Sequence, residues 1–178
     1  MATKRPSLLG ALLILALVGG VVFWWVNSMP NEDPLWFVKS FKAEADWMTV
    51  YWEGETCMFF PGDPEYERIM SAFADSVAHW SGYEQSVGLS CESLGHLREQ
   101  ARLLELHYNE PVQVHTRYPF SEARSFWVPL SGSHAQACRV FGGLGDEPRI
   151  GVLNVSSEHY ASLEEAVHQA IADRHSAP

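Results

Sequence analysis

From Leu8 to Val26 the chain reads LLGALLILALVGGVVFWWV, nineteen consecutive residues without a charge, an amide or a hydroxyl. Wound as a helix rising about 1.5 Å per residue, the run is roughly 28 Å long, close to the ~30 Å hydrocarbon thickness of a bilayer. No polar stripe marks a solvent face on it, so a single membrane span is the expectation. The flanks orient that span. Lys4 and Arg5 precede it and Asn31, Glu32 and Asp33 follow it, which by the positive-inside bias leaves the N-terminus in the cytoplasm and the rest outside. Trp24 and Trp25 stand at the outer end, where indole rings favour the headgroup region. A cleaved signal peptide is the competing expectation, but it calls for an apolar region of about 7–15 residues and an Ala-x-Ala-like site. Only Val26-Asn27-Ser28 remotely fits, and no cysteine near the end of the run offers a lipid anchor.

The expected organisation is therefore a cytoplasmic N-terminus over residues 1–7, the anchor over 8–26, and a polar tether over 27–34 interrupted by Pro30 and Pro34. An extracytoplasmic domain over 35–174 and a frayed tail over 175–178 complete it. The lipid bilayer is the expected partner of residues 8–26. Charge narrows the remaining partners. The chain has 22 acidic and 12 basic residues; without Lys4 and Arg5 the balance is 22 against 10, or −12. A field of that sign repels phosphate groups, so nucleic acid is not an expected partner.

Hydrophobic periodicity outlines an α+β domain. Residues 35–46 are ambiguous, leaning to a helix near the membrane, with Leu35, Val38 and Phe41 on one side. Trp47 to Phe60 reads as a β-hairpin turning at Glu53-Gly54, because glycine accepts the positive φ of a tight turn. Asp63 and Pro64 open a helix to about Trp80, whose stripe is Tyr66, Ile69, Met70, Phe73, Val77 and Trp80. A Gly/Ser-rich bend over 81–90 leads to a shorter helix, capped by Ser90 and running to about Ala101, with Leu94 and Leu97 inward. Leu103–Tyr108 and Val112–Arg117 are expected to pair around Asn109-Glu110-Pro111, setting Leu106 against Val114 on an oily face and Glu105 against His115 on a wet one. Ser125–Leu130, Ala137–Phe141 and Ile150–Val155 are further strands, the first placed at an edge by Pro129. Ser162 and Glu165 form a capping box for a last helix from Leu163 to about Asp173, with Leu163, Ala166, Val167, Ala170 and Ile171 inward. Strands in hairpin-like groups with helices between the groups imply a mainly antiparallel sheet with helices packed on one face.

Chemistry-bearing residues are scattered. Cys57, Cys91 and Cys138 form no C-x-x-C pair; an oxidising compartment permits three disulfide pairings, and burial as small apolar side chains is the alternative. Glu105, His107 and His115 are ligand types suited to Zn²⁺, yet alternation alone puts polar groups on a wet face, so neither a metal nor another cofactor is expected. Glu165 and His168 have the i, i+3 spacing of di-iron bundles without the second such motif. The loop Ser131-Gly132-Ser133-His134 followed by Cys138 supplies a hydroxyl, an imidazole and a thiol, but no G-x-S-x-G elbow. His134 and Cys138 are the candidate catalytic groups. Gly142-Gly143-Leu144-Gly145 lacks the ending of a phosphate loop and reads as a turn, and Asn154-Val155-Ser156 is a formal glycosylation sequon. Trp36, Trp52 and Trp127, with Trp47, are candidate binding aromatics if they reach the surface. The expected role is a membrane-anchored, non-catalytic domain that binds an envelope protein or a small ligand; the alternative is a tethered hydrolase or metal-dependent enzyme.

Overall fold

The computed structural model describes residues 7–29, 32–116, 118, 120 and 122–176. Lys4 and Arg5, Pro30 and Asn31 of the expected tether, Arg117 at the end of an expected strand, and Ala177 and Pro178 of the tail lie outside the described residues. The elements in chain order are α1 (Leu8–Ser28), β1 (Trp47–Trp52), β2 (Glu55–Phe59), α2 (Pro64–Ala78), β3 (Trp80–Glu84), α3 (Cys91–Gln100) and β4 (Arg102–Val112). They continue with β5 (Ala123–Pro129), α4 (Gly132–Gln136), β6 (Arg139–Gly143), β7 (Gly151–Val155) and α5 (Ser157–Ser176). The fold is α+β: one seven-stranded sheet in the order β2-β1-β4-β5-β6-β7-β3, every pairing antiparallel.

The hairpin forms as its turn dictates. Glu53 and Gly54 both have positive φ, 52° and 90°, the pair of left-handed residues that a two-residue loop needs to match strand twist. The expected stripe of α2 is buried from Tyr66 to Val77. Asp63 does not cap α2; its Oδ2 instead accepts from the Phe60 N–H at 3.0 Å and closes the preceding turn. Ser90 does cap α3, accepting from the Ser93 N–H at 3.0 Å.

Strand alternation sorts the core into two layers. On one face, Met48, Val50, Leu104, Leu106, Phe126, Val128, Val140 and Leu153 pack against the inward stripes of α2 and α5. On the other, Leu103, Trp127, Phe141 and Val152 pack against Leu94 and Leu97 of α3. Helices therefore cover both faces rather than one.

Several expectations are corrected. Residues 35–46 form neither helix nor strand, only a turn over 34–37 followed by irregular chain. Trp36 is held at the end of α1 while Phe41 and Ala45 are buried in the domain core, and extended chain spans about twice the distance per residue of a helix. The supposed bend after α2 contains β3, an edge strand that tolerates Gly82 through a register shift between Trp80 and Gly82. Asn109-Glu110-Pro111 is not a loop: β4 is continuous, and Leu106 faces Met48 and Phe126 instead of Val114. Pro111 is tolerated because pairing with β1 ends at His107. Strand β5 is interior, not an edge; Pro129 ends it, beyond the three residues that β6 pairs. The last helix begins at Ser157, so Ser162 lies inside it and donates back to the Glu158 carbonyl at 3.1 Å. That helix extends to Ser176, across the start of the expected tail.

Among the glycines of the sheet, Gly143 at the close of β6 has the least room for a side chain. A Cβ on Gly143 would stand 2.3 Å from the Glu147 carbonyl oxygen and 2.5 Å from the Trp127 ring. Gly143→Ala is expected to lower stability by about 1–3 kcal/mol in denaturant titration, whereas Gly145→Ala, which meets nothing within 4 Å, stays within about 0.5 kcal/mol of wild type. Equal losses in the two variants would contradict this packing.

Candidate functional site

Glu105 lies on the face covered by α3, paired across the strands with Thr49 and Trp127. It is 2% exposed, so its charge needs partners. Arg98 Nε, reaching down from α3, donates to Oε1 at 2.7 Å, and His107 Nε2 lies 3.5 Å from Oε2. Burial pushes the Glu105 carboxyl up, but the bonds from His107 and Arg98, with the charges behind them, outweigh it and hold the group below the usual carboxylate range. His107 also stacks on Trp47 at 4.9 Å. His115 is not part of this group: its Nδ1 lies 3.0 Å from Asp33 Oδ2. The expected Glu105–His107–His115 face therefore divides into a buried ion pair and a separate junction contact, because the wet face is roofed by α3.

His134 and Cys138 are also separated. His134 meets Phe141 edge-on on the α3 side, while Cys138 packs against the core beneath α5. Arg139 Nη1 donates to His134 Nδ1 at 3.2 Å and its Nη2 donates to Glu84 at 2.9 Å. Burial and the Arg139 guanidinium hold the His134 imidazole below its ordinary range against the opposing pull of Glu84. Burial, reinforced by Glu164, pushes the Cys138 thiol up. A thiolate–imidazolium pair is disfavoured from both sides. All three cysteines are free thiols. His134 instead lines a cleft of about 440 Å³ between α3 and α4 with Glu92, Ser93, His96, Ser131 and Ser133.

The candidate tryptophans have three different fates. Trp127 is fully buried and presents no surface to a ligand. Trp52 lies under the Arg102 guanidinium, 4.2 Å from its ring. It lines a second cleft, about 350 Å³, with Glu53, Glu55, His168 and His175. His168 therefore faces Trp52 at 5.7 Å, while Glu165 accepts from Gln169 at 2.7 Å. At the far end of α5, Arg174 Nη1 donates to the Met58 carbonyl at 2.9 Å and His175 Nε2 lies 2.7 Å from Glu55. Trp36 meets Phe23 of α1 and its neighbour Phe37 edge-on, at 6.1 and 5.9 Å. Beside it, Trp24 Nε1 donates to the Pro34 carbonyl at 3.0 Å. Asp33 is buried, accepts from the Leu35 N–H at 2.8 Å and meets His115. Residues 33–37 thus fold onto the end of α1. Asn154, the sequon asparagine, sits inside β7 with its amide donating to Glu84 at 2.7 Å.

One group escaped sequence reasoning. Asp75 and His79 near the end of α2 meet His159 at the start of α5, and among the described residues this is the only set of three His, Cys, Asp or Glu side chains with ligand atoms within 4.8 Å of one another. The i, i+4 spacing of Asp75 and His79 was readable; the arrival of His159 depends on how α2 and α5 cross.

Arg98→Ala is expected to cost about 3 kcal/mol by leaving Glu105 buried without its principal partner. Because the Glu105 pKa is depressed on folding, its contribution is fully present above the ordinary carboxylate range and lost as pH falls through the folded value. The stability gap between wild type and Glu105→Gln should accordingly shrink on acidification; a pH-independent gap would contradict the pairing. In mass-spectrometric alkylation, exposed Cys91 should react well before Cys138. Comparison with protein-family models, curated proteins and solved structures returns no match for the chain.

Proposed function

We propose that the chain is a single-pass membrane protein, N-terminus in the cytoplasm, whose outer domain binds an envelope protein or a small polar ligand without catalysis. The observation that carries this reading is α1. Its apolar side chains are exposed along the whole helix, uncovered by the domain, whose own core closes without them. In water such a surface is costly; in a bilayer it is matched. The aromatic cluster of Phe23, Trp24, Trp36 and Phe37 at its outer end suits the headgroup region. The burial of Asp33 against His115 supports a domain seated on that end.

A binding role is favoured over hydrolysis by the placement of His134 and Cys138 against different layers of the core and by surroundings that disfavour the charged form of each. The cleft between α3 and α4 offers hydroxyls and two imidazoles, groups that orient a polar ligand by hydrogen bonds.

Alkaline carbonate should leave the protein in the membrane pellet, and external protease should remove a tag placed after Pro178 in intact cells. Release into the supernatant, or a protected tag, would overturn the topology. Crosslinking followed by pull-down should recover a reproducible envelope partner or ligand, and His96→Ala with Ser133→Ala should weaken that recovery. An empty pull-down would overturn the binding role.

A further inference from the structure

We infer that the end of the sheet at which β1 begins rests on the outer leaflet of the bilayer, with Leu35, Phe37, Phe60 and Leu144 entering the headgroup interface. This seat presupposes the reading of α1 as a span and adds a second, peripheral contact to it. The chain after α1 doubles back. Trp36 meets Phe23 edge-on at 6.1 Å, and the Pro34 carbonyl accepts from Trp24 Nε1 at 3.0 Å. Phe23 and Trp24 stand five and four residues before Ser28, roughly 6–8 Å back along the helix, and helical side chains lean further toward the N-terminus. Residues 34–36 therefore run beside the closing turn of α1, at the depth where its indole rings favour the headgroups.

Topology gathers the other exposed apolar side chains at one end. Beyond Met29, the large apolar side chains exposed among the described residues are Leu35, Phe37, Met58, Phe60 and Leu144. Leu35 and Phe37, 47 and 57% exposed, lie in the doubled-back segment. Trp47 pairs with His107, His107 with Ser125 and Ser125 with Gly143, while Met48 pairs with Phe59. Strands β2 and β6 thus end where β1 starts. Phe60 and Leu144, the residues that follow those two strands, are 49 and 60% exposed there. Asp33 reaches His115, just beyond β4, at this end as well. The opposite end, around the Glu53-Gly54 turn and α4, exposes no large apolar side chain among the described residues. Single exposed apolar residues are ordinary, but four on one rim, continuous with a span, suit a lipid surface.

The polar groups permit the contact. The Asp33 N–H donates to the Ser28 carbonyl at 3.2 Å, the Leu35 N–H to Asp33 Oδ1 at 2.8 Å and the Val38 N–H to the Leu35 carbonyl at 2.8 Å. These backbone groups enter a poorly hydrated layer already paired. Phe41 then packs edge-on against Phe73, Tyr108 and Phe126 in the core. Four residue steps from Phe37 bridge at most about 14 Å, which holds the domain against the leaflet. Charge selects the lipid. Lys39 and Lys42 are exposed in the segment leading to β1, but Glu44, Asp46, Asp146 and Glu147 are exposed on the same rim. An anionic headgroup is therefore not favoured, and zwitterionic phosphatidylcholine suffices. The cleft between α3 and α4 reaches the opposite end of the sheet through Ser131 and Ser133 and stays open to the envelope.

The test uses the full-length chain in phosphatidylcholine nanodiscs, with photoreactive benzoylphenylalanine placed singly at Phe37, Phe60, Leu144, Val18 in α1 and Gln136 in α4. Each position is exposed, so the larger ring is accommodated, and circular dichroism checks the fold of every variant. Illumination followed by mass spectrometry reads the addition of one lipid to the chain. Adducts are expected at Val18, Phe37, Phe60 and Leu144, at least about tenfold above Gln136. An adduct at Val18 with any of the other three missing would overturn the seat while leaving the span in place. An equal yield at Gln136 would overturn the seat too. No adduct at Val18 would overturn the span itself, and the seat with it.

Discussion

Strand β4 is buried on both faces, and the domain is arranged around that constraint. Leu104 and Leu106 point toward α2 and α5, while Leu103 and Glu105 point toward α3. A wide sheet covered on one side only would expose Trp127, Phe141 and Val152; α3 exists to cover them. The same cover encloses a carboxylate, so α3 must also bring the guanidinium of Arg98. Apolar packing and a buried ion pair are thereby fastened to one helix, and each requires the other.

Local chemistry was legible where the answer was local. The Glu53-Gly54 turn, the stripe of α2 from Tyr66 to Val77 and the Ser90 cap need only a few neighbouring residues and appear as the sequence implies, whereas Trp80, expected at the end of that stripe, opens β3. What the sequence hid depends on distant partners. Ser81-Gly82-Tyr83-Glu84 resembles a bend until β7 offers an edge to pair with. Asn109-Glu110-Pro111 resembles a turn until one sees that β1 has already ended there. The start of α5 was misplaced because Ser162 and Glu165 satisfy a capping pattern, although Ser156 lies nearer the true start and receives the His159 N–H.

The polar sites follow the same division. Glu105 and His107, two apart on one strand, share a face as alternation requires. Their third partner comes from α3, and the expected one, His115, is taken by Asp33 at the junction with α1. Asp75 and His79 are neighbours on a helix surface by simple geometry, but nothing in their surroundings along the chain announces His159. Periodicity identifies which residues share an element; the packing of elements decides which become a site.

Strand β2 is an outer strand of the sheet and carries unpaired backbone groups beside the exposed side chains of Met58 and Phe60. The end of α5 folds across it, Arg174 occupying the Met58 carbonyl and His175 holding Glu55. A cation stationed on a bare margin discourages another chain from extending the sheet. The end of α5 thereby closes a margin that a second copy of the chain could otherwise lengthen by one more strand.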